Sequence, residues 1–171
     1  MQPTVNEYYD KSEGDLELGW EDVEAAAYSI IQSMKDDGFE PDIIISIARS
    51  GLIPAALISY AMGNKELYVI KVDFSKNQKI SHRQDMREKP KISQGLDKDV
   101  EGLKVLVVDE VVISGETLKM VSNYLGMKHP AEAKYAVLYR QPWSQFTPDY
   151  CGKEVTAWPI FPWKRLKNGN A

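Results

Sequence analysis

At 171 residues, 43% of them hydrophobic, the chain has the size and apolar content of one globular domain, long enough to bury roughly two-thirds of the surface its unfolded form exposes. One cysteine, Cys151, and two histidines exclude a disulfide framework and a structural zinc site; with no signal-like start and no run near the ~20 apolar residues of a membrane span, a cytoplasmic protein is expected. The net charge of -4 argues against a nucleic-acid binder, and its distribution is uneven: Lys76, Lys79, Arg83, Arg87, Lys89 and Lys91 against Asp85 and Glu88 make the 75–91 segment +4, leaving -8 elsewhere.

Positions 1–18 are polar and acidic with no sustained period, and read as a loosely held lead-in. From 20 to 37, Val23, Ala27, Ile30, Ile31 and Met34 recur at helical spacing, and Gly38 supplies a stop. The run at 42–47, with Ile43, Ile44 and Ile45, is the continuous β-branched kind that a parallel sheet covers on both faces. It ends at Ala48, Arg49, Ser50 and Gly51, after which Pro54 fits the first turn of a helix reaching Met62, before Gly63. A second strand at 67–72 leads into the basic 75–91 segment, which reads either as a solvated loop or as a mobile flap over an anionic ligand. A third strand at 104–108 delivers Asp109 and Glu110, followed by a helix from Glu116 to Leu125 that stops at Gly126. A fourth strand occupies 135–139, and a short one follows near 154–157. Strands alternating with helices predict an α/β fold with a doubly wound parallel sheet, spanning 1–171 as one domain.

In open α/β sheets ligands collect at the carboxyl ends of strands. The most informative stretch is Val105-Leu-Val-Val-Asp-Glu-Val-Val-Ile-Ser-Gly-Glu-Thr-Leu118. A buried strand delivers two acids, and a short loop with Ser114, Gly115 and Thr117 then opens a helix. Unpaired N–H groups at a helix start, with hydroxyl donors beside them, suit a phosphate monoester, and Gly115 lets the backbone approach closely. The plainer alternative is an ordinary Ser/Thr-capped helix after a buried strand.

This segment resembles the ribose-phosphate signature of the type I phosphoribosyltransferases: four apolar residues, two acids, two apolar residues, a variable residue, then Thr/Ser-Gly-x-Thr. Two further segments match in order. Ile43-Ile-Ile-Ser-Ile-Ala-Arg-Ser-Gly-Leu-Ile-Pro-Ala55 looks like the family's pyrophosphate loop, closest to that of the short 6-oxopurine enzymes, in which the peptide entering Arg49 is cis. Trp158-Pro-Ile-Phe-Pro-Trp163 resembles the hood motif that stacks an aromatic ring on the purine. The resemblance implies that fold with a small C-terminal hood at about 141–163 and a flexible flap at 75–91. It implies transfer of 5-phosphoribosyl from 5-phosphoribosyl-1-pyrophosphate (PRPP) to a purine, a 6-oxopurine first, in purine salvage. Ala48, Arg49, Ser50 and Gly51 would meet pyrophosphate, with Arg49 also catalytic. Asp109 and Glu110 would take the ribose diol and serve catalysis. Val112, Ile113, Ser114, Gly115, Glu116 and Thr117 would cradle the 5-phosphate, Glu116 through its backbone. The base would meet Ile113, Gln141, Trp158 and Pro159. Mg2+ is the implied cofactor, held by Asp109 and Glu110 directly or indirectly, and the assembly a homodimer or homotetramer.

Two positions depart from the 6-oxopurine pattern. Ile113 stands where an aspartate usually receives the proton from purine N7, and Gln141 where a lysine donates to the 6-oxygen. An amide can donate or accept. Both departures fall on base recognition, so Glu110, Glu116, Asp85 and Glu88 are the candidate bases. The rival readings are a PRPP- or nucleotide-binding regulator without catalysis and a transferase for another base.

Overall fold

The computed structural model describes residues 11–73 and 90–168. In chain order the elements are β1 (Asp15–Glu17), α1 (Trp20–Asp36), β2 (Ile43–Ala48), α2 (Leu52–Met62), β3 (Leu67–Asp73), β4 (Lys91–Gln94), β5 (Lys104–Val112), α3 (Glu116–Gly126), β6 (Glu132–Arg140), β7 (Tyr150–Glu154), β8 (Trp158–Ile160) and a 3-10 turn at Pro162–Asn168.

Helix α1 buries Val23, Ala26, Ala27, Ile30, Ile31 and Met34 along one stripe. Fully burying a large apolar side chain contributes about 1.5–3 kcal/mol, against a few tenths for helix propensity, so packing decides where this helix lies. Its start is trimmed by Asp22, whose carboxylate accepts the Gly19 N–H at 2.8 Å. At its far end Asp37 accepts hydrogen bonds from Lys134 of β6 and from the Tyr150 hydroxyl of β7, the latter at 2.6 Å, pinning the helix to the sheet.

The main sheet runs β4-β3-β2-β5-β6-β7, parallel throughout except for the antiparallel edge strand β4. Its central strands β2 and β5 are apolar almost without interruption because both faces are covered. On one side Ile44, Leu106, Val108, Ala136 and Leu138 pack with α1 and α2. On the other, Ile43, Ile45, Ile47, Val105, Val107 and Val137 pack with α3, Leu96 and Val100. This is the doubly covered α/β sheet the strand-helix alternation predicts. Strand order reverses between β2 and β5: the chain steps from β2 outward to β3, then returns to β5 and steps the other way. Ligand crevices form at such a switch point, beyond the strands' carboxyl ends. Among the described residues no helix is long and apolar enough to cross a membrane.

Four elements differ from the sequence expectations. The lead-in is not loose over its described part, since β1 pairs in parallel with β8 and Leu18 is 2% exposed. The hood is therefore a two-stranded sheet drawn from both ends of the described chain. Strand β4 has no apolar alternation and exists through its pairing with β3. The short strand expected near 154–157 lies at Tyr150–Glu154. β5 runs on to Val112, so Asp109 and Glu110 sit inside the strand rather than after it. The expected flap lies outside the described residues, apart from Pro90 and Lys91 at the entry to β4.

Candidate active site

Two loops meet at the switch point. The first, Ala48 to Gly51, leaves β2 through a cis peptide between Ala48 and Arg49 and leaves the Arg49 side chain exposed. Gly51 then caps α2 in a space with no room for a side chain. A Cβ there would stand 2.5 Å from the Val108 carbonyl oxygen and 2.7 Å from that of Ile47. Glycine thus lets the loop press against the backbones of β2 and β5 together.

The second loop, Ser114 to Thr117, leads from β5 into α3. Gly115 adopts a left-handed φ of +92°, which an L side chain resists, and a Cβ on it would meet the Phe146 backbone N and Cβ at 2.6 Å. The Ser114 hydroxyl accepts the Glu116 N–H at 3.3 Å, and its carbonyl accepts the Gln145 N–H at 3.0 Å. The stretch after β6 is therefore stitched over the start of α3, where Phe146 packs edge-on to Tyr135. Ser114 and Gly115 are buried beneath it, while Glu116 and Thr117 stay partly exposed at the helix N-terminus. Val112 is buried and Ile113 half-buried.

The two acids part company. Asp109 is turned to the first loop, where its Oδ1 accepts from the Ser50 hydroxyl at 3.2 Å and from the Glu110 N–H at 2.8 Å. Burial, and then the neighbouring Glu110 charge, push its carboxyl up to about 7, against the opposing pull of those hydrogen bonds and of Lys164. Glu110 points instead to the C-terminal turn. Its Oε2 accepts from Trp163 Nε1 at 2.9 Å, and its Oε1 pairs with Lys164 Nζ at 2.7 Å. The expectation that both acids serve one diol is thus not how the side chains lie. The pleat of β5 explains it, because consecutive residues point to opposite faces.

Gln141 is fully buried, with Nε2 donating to the Ala157 carbonyl at 3.3 Å and to the Ser12 hydroxyl at 3.2 Å. It fastens the chain just before Trp158 rather than presenting an open edge. Trp158 is half-buried and Pro159 buried on β8, where the Trp158 N–H donates to the Gly14 carbonyl at 2.8 Å. A shallow groove of about 350 Å3 flanks this hood, lined by Leu16, Glu154, Val155, Thr156 and Ala157. Phe146 and Lys164 carry no local signal in the sequence, since each acts through a contact distant in the chain; Trp163 stands out there only as the end of the hood motif.

Among the described residues no three His, Cys, Asp or Glu side chains cluster to hold a metal ion. A hard cation held mainly by a ligand's phosphates and water needs only one carboxylate from the protein.

Comparison with known proteins identifies the family. The model of the phosphoribosyl transferase domain matches residues 15–165. A xanthine-guanine phosphoribosyltransferase of Gluconobacter oxydans is 32% identical over 122 residues, covering 70% of this chain and 67% of the relative. One from a Ruegeria species is 24% identical over 164 residues, covering 88% and 86%. Among solved structures, a purine phosphoribosyltransferase from Pyrococcus horikoshii superposes with a TM-score of 0.75 at 33% identity, covering 88% of this chain and 93% of that one. The match runs from the hood's first strand to the C-terminal turn and takes in both loops of the switch point, so the chain belongs to the phosphoribosyl transferase domain family.

Proposed function

We propose that the protein transfers 5-phosphoribosyl from PRPP to a purine base, releasing pyrophosphate and a nucleoside 5'-monophosphate, as a cytoplasmic enzyme of purine salvage. The observation that carries this reading is the Ser50–Asp109 hydrogen bond of 3.2 Å, which joins the loop after β2 to the acid of β5 at one crevice. A donor with a pyrophosphate at C1 and a diol beside it needs both groups within one sugar's reach. The third recognition element, the α3 N-terminus with Ser114, Gly115, Glu116 and Thr117, supplies N–H donors to the 5-phosphate.

In the reaction a purine ring nitrogen attacks C1, the C1–O bond to pyrophosphate breaks, and the nitrogen's proton leaves to solvent or base. Arg49, exposed at the mouth of the first loop, meets the departing pyrophosphate. Asp109 lies against the sugar, where a carboxylate stabilises the positive charge that develops as the glycosidic bond opens. Bound Mg2+ would neutralise pyrophosphate charge. Ile113 cannot take a proton, so the chain's contribution is alignment and charge rather than base catalysis at that position. Gln141 serves by holding Ala157, and so Trp158, in place for stacking on the base. A 6-oxopurine is the base we favour, because the relatives named above are xanthine-guanine enzymes.

Incubating the protein with PRPP, Mg2+ and guanine, hypoxanthine, xanthine or adenine, and separating products by chromatography, tests this. A nucleoside 5'-monophosphate is expected with at least one 6-oxopurine. Saturable PRPP binding with no product from any base would instead favour the regulator.

A further inference from the structure

The C-terminal turn closes on Glu110, the neighbour of Asp109 on β5. That side chain is only 5% exposed, and both its oxygens are engaged, by Trp163 at 2.9 Å and Lys164 at 2.7 Å. The turn is itself anchored. The Trp163 ring stacks on Phe161 with centroids 4.8 Å apart and lies 5.8 Å from Trp20. Next to it Arg165 Nη2 donates to the Leu18 carbonyl at 2.6 Å. Two carboxylates on consecutive residues of a buried strand repel each other, and their mutual cost rises as water is excluded. Among the described residues, Lys164 is the one cation that forms an ion pair with either acid. Without it an uncompensated negative charge would stand one residue from Asp109, the acid that faces Ser50.

We propose that Lys164 and Trp163 are positioning residues for phosphoribosyl transfer, acting through Glu110. They hold its carboxylate against the C-terminal turn and neutralise it, leaving Asp109 to face Ser50 and the donor. Neither touches the reacting atoms. The inference rests on the transfer reading above and adds to it a charge-compensating role for the turn.

Steady-state kinetics on the full chain, with PRPP, Mg2+ and the base the wild type uses, provide the test. Lys164→Ala is expected to raise the KM for PRPP roughly tenfold while the KM for the base and kcat move little, since an uncompensated charge weakens donor binding before chemistry. Lys164→Arg keeps the charge and should restore the wild-type value. Trp163→Phe, which removes one N–H and keeps the ring, should shift the donor KM in the same direction by a smaller factor. In Lys164→Ala combined with Glu110→Gln, the donor KM should return toward wild type, because no unpaired charge remains. An unchanged donor KM in Lys164→Ala overturns the proposal. So does a double variant no better than the single, or a uniform loss in kcat and both KM values that tracks a lowered melting temperature. An inactive wild type would remove the transfer reading and this inference with it, whereas an active wild type with an indifferent Lys164→Ala removes the inference alone.

Discussion

Asp109→Asn is expected to cut turnover by roughly 10²–10³-fold while raising the melting temperature at pH 8. The activity loss follows from removing the one strand acid that faces the loop after β2. The stability gain follows from the same burial that makes the residue useful. In the folded protein its pKa stands at about 7 against an ordinary value of 3.8, so the folded state retains a proton that the unfolded chain releases. Stability therefore falls as pH rises from about 4 to about 7, and above that the full cost of a buried charge is present. That cost is at most about 4 kcal/mol, and realising half of it would raise Tm by roughly 4–8 °C for a chain of this size. Asparagine keeps an oxygen that can accept from Ser50 and from the Glu110 N–H, so neither of those two donors is orphaned. Thermal melts of both proteins at pH 4 and pH 8 check the claim. The gap should be near zero at the lower pH and open at the higher one; an asparagine variant that melts lower at pH 8 would mean the ionised carboxylate is stabilised there.

Gly51→Ala should be severely damaging for a single added methyl. The new Cβ would meet the Val108 oxygen at 2.5 Å, the Ile47 oxygen at 2.7 Å and the Ile47 nitrogen at 3.0 Å, all backbone atoms of two hydrogen-bonded central strands. No side chain can swing away, so the loop itself must shift. Overpacking of this kind costs about 3 kcal/mol, and a displacement near 1 Å in a positioning loop can lower kcat/KM roughly 100-fold. Gly126→Ala is the matched control: it lies within α3, has nothing within 4 Å of the added carbon, and should be neutral or slightly stabilising. Melting curves and kcat/KM for PRPP on the two variants decide it. Equal behaviour would show that the loop does not depend on the close approach.

The parts of the crevice legible in the sequence are those encoded by contiguous residues. A four-residue apolar strand, two acids and a hydroxyl-glycine turn announce a strand-loop-helix unit within 105–118, and β2 with its Arg49-Ser50-Gly51 exit does the same. The pleat carries information that adjacency hides. Leu106 and Val108 pack toward α1, and Glu110 shares their parity; Val105 and Val107 pack toward α3, and Asp109 shares theirs. Parity along β5 separates the acids without any coordinates. Pairing between distant segments is what the sequence hides. Three residues of β1 gain a partner only in β8, and Lys91–Gln94 is polar enough to look like loop until β3 lies beside it. Lys164 is one exposed-looking cation among several near the C-terminus, and nothing local says that it ends on Glu110. Gln141 looks like a base-reading amide because it stands where the resembled 6-oxopurine enzymes carry a lysine, yet its Nε2 is committed to Ser12 and Ala157.

Phosphoribosyl transfer at this crevice requires the loops after β2 and β5 to grip the two ends of one PRPP molecule. Calorimetric titration of PRPP with Mg2+ into the wild-type protein and into Gly51→Ala, with no base present, measures this directly. Saturable binding to a single site that weakens roughly 100-fold in the variant is the expected result. Absence of saturable binding, or equal affinity in both proteins, would contradict it.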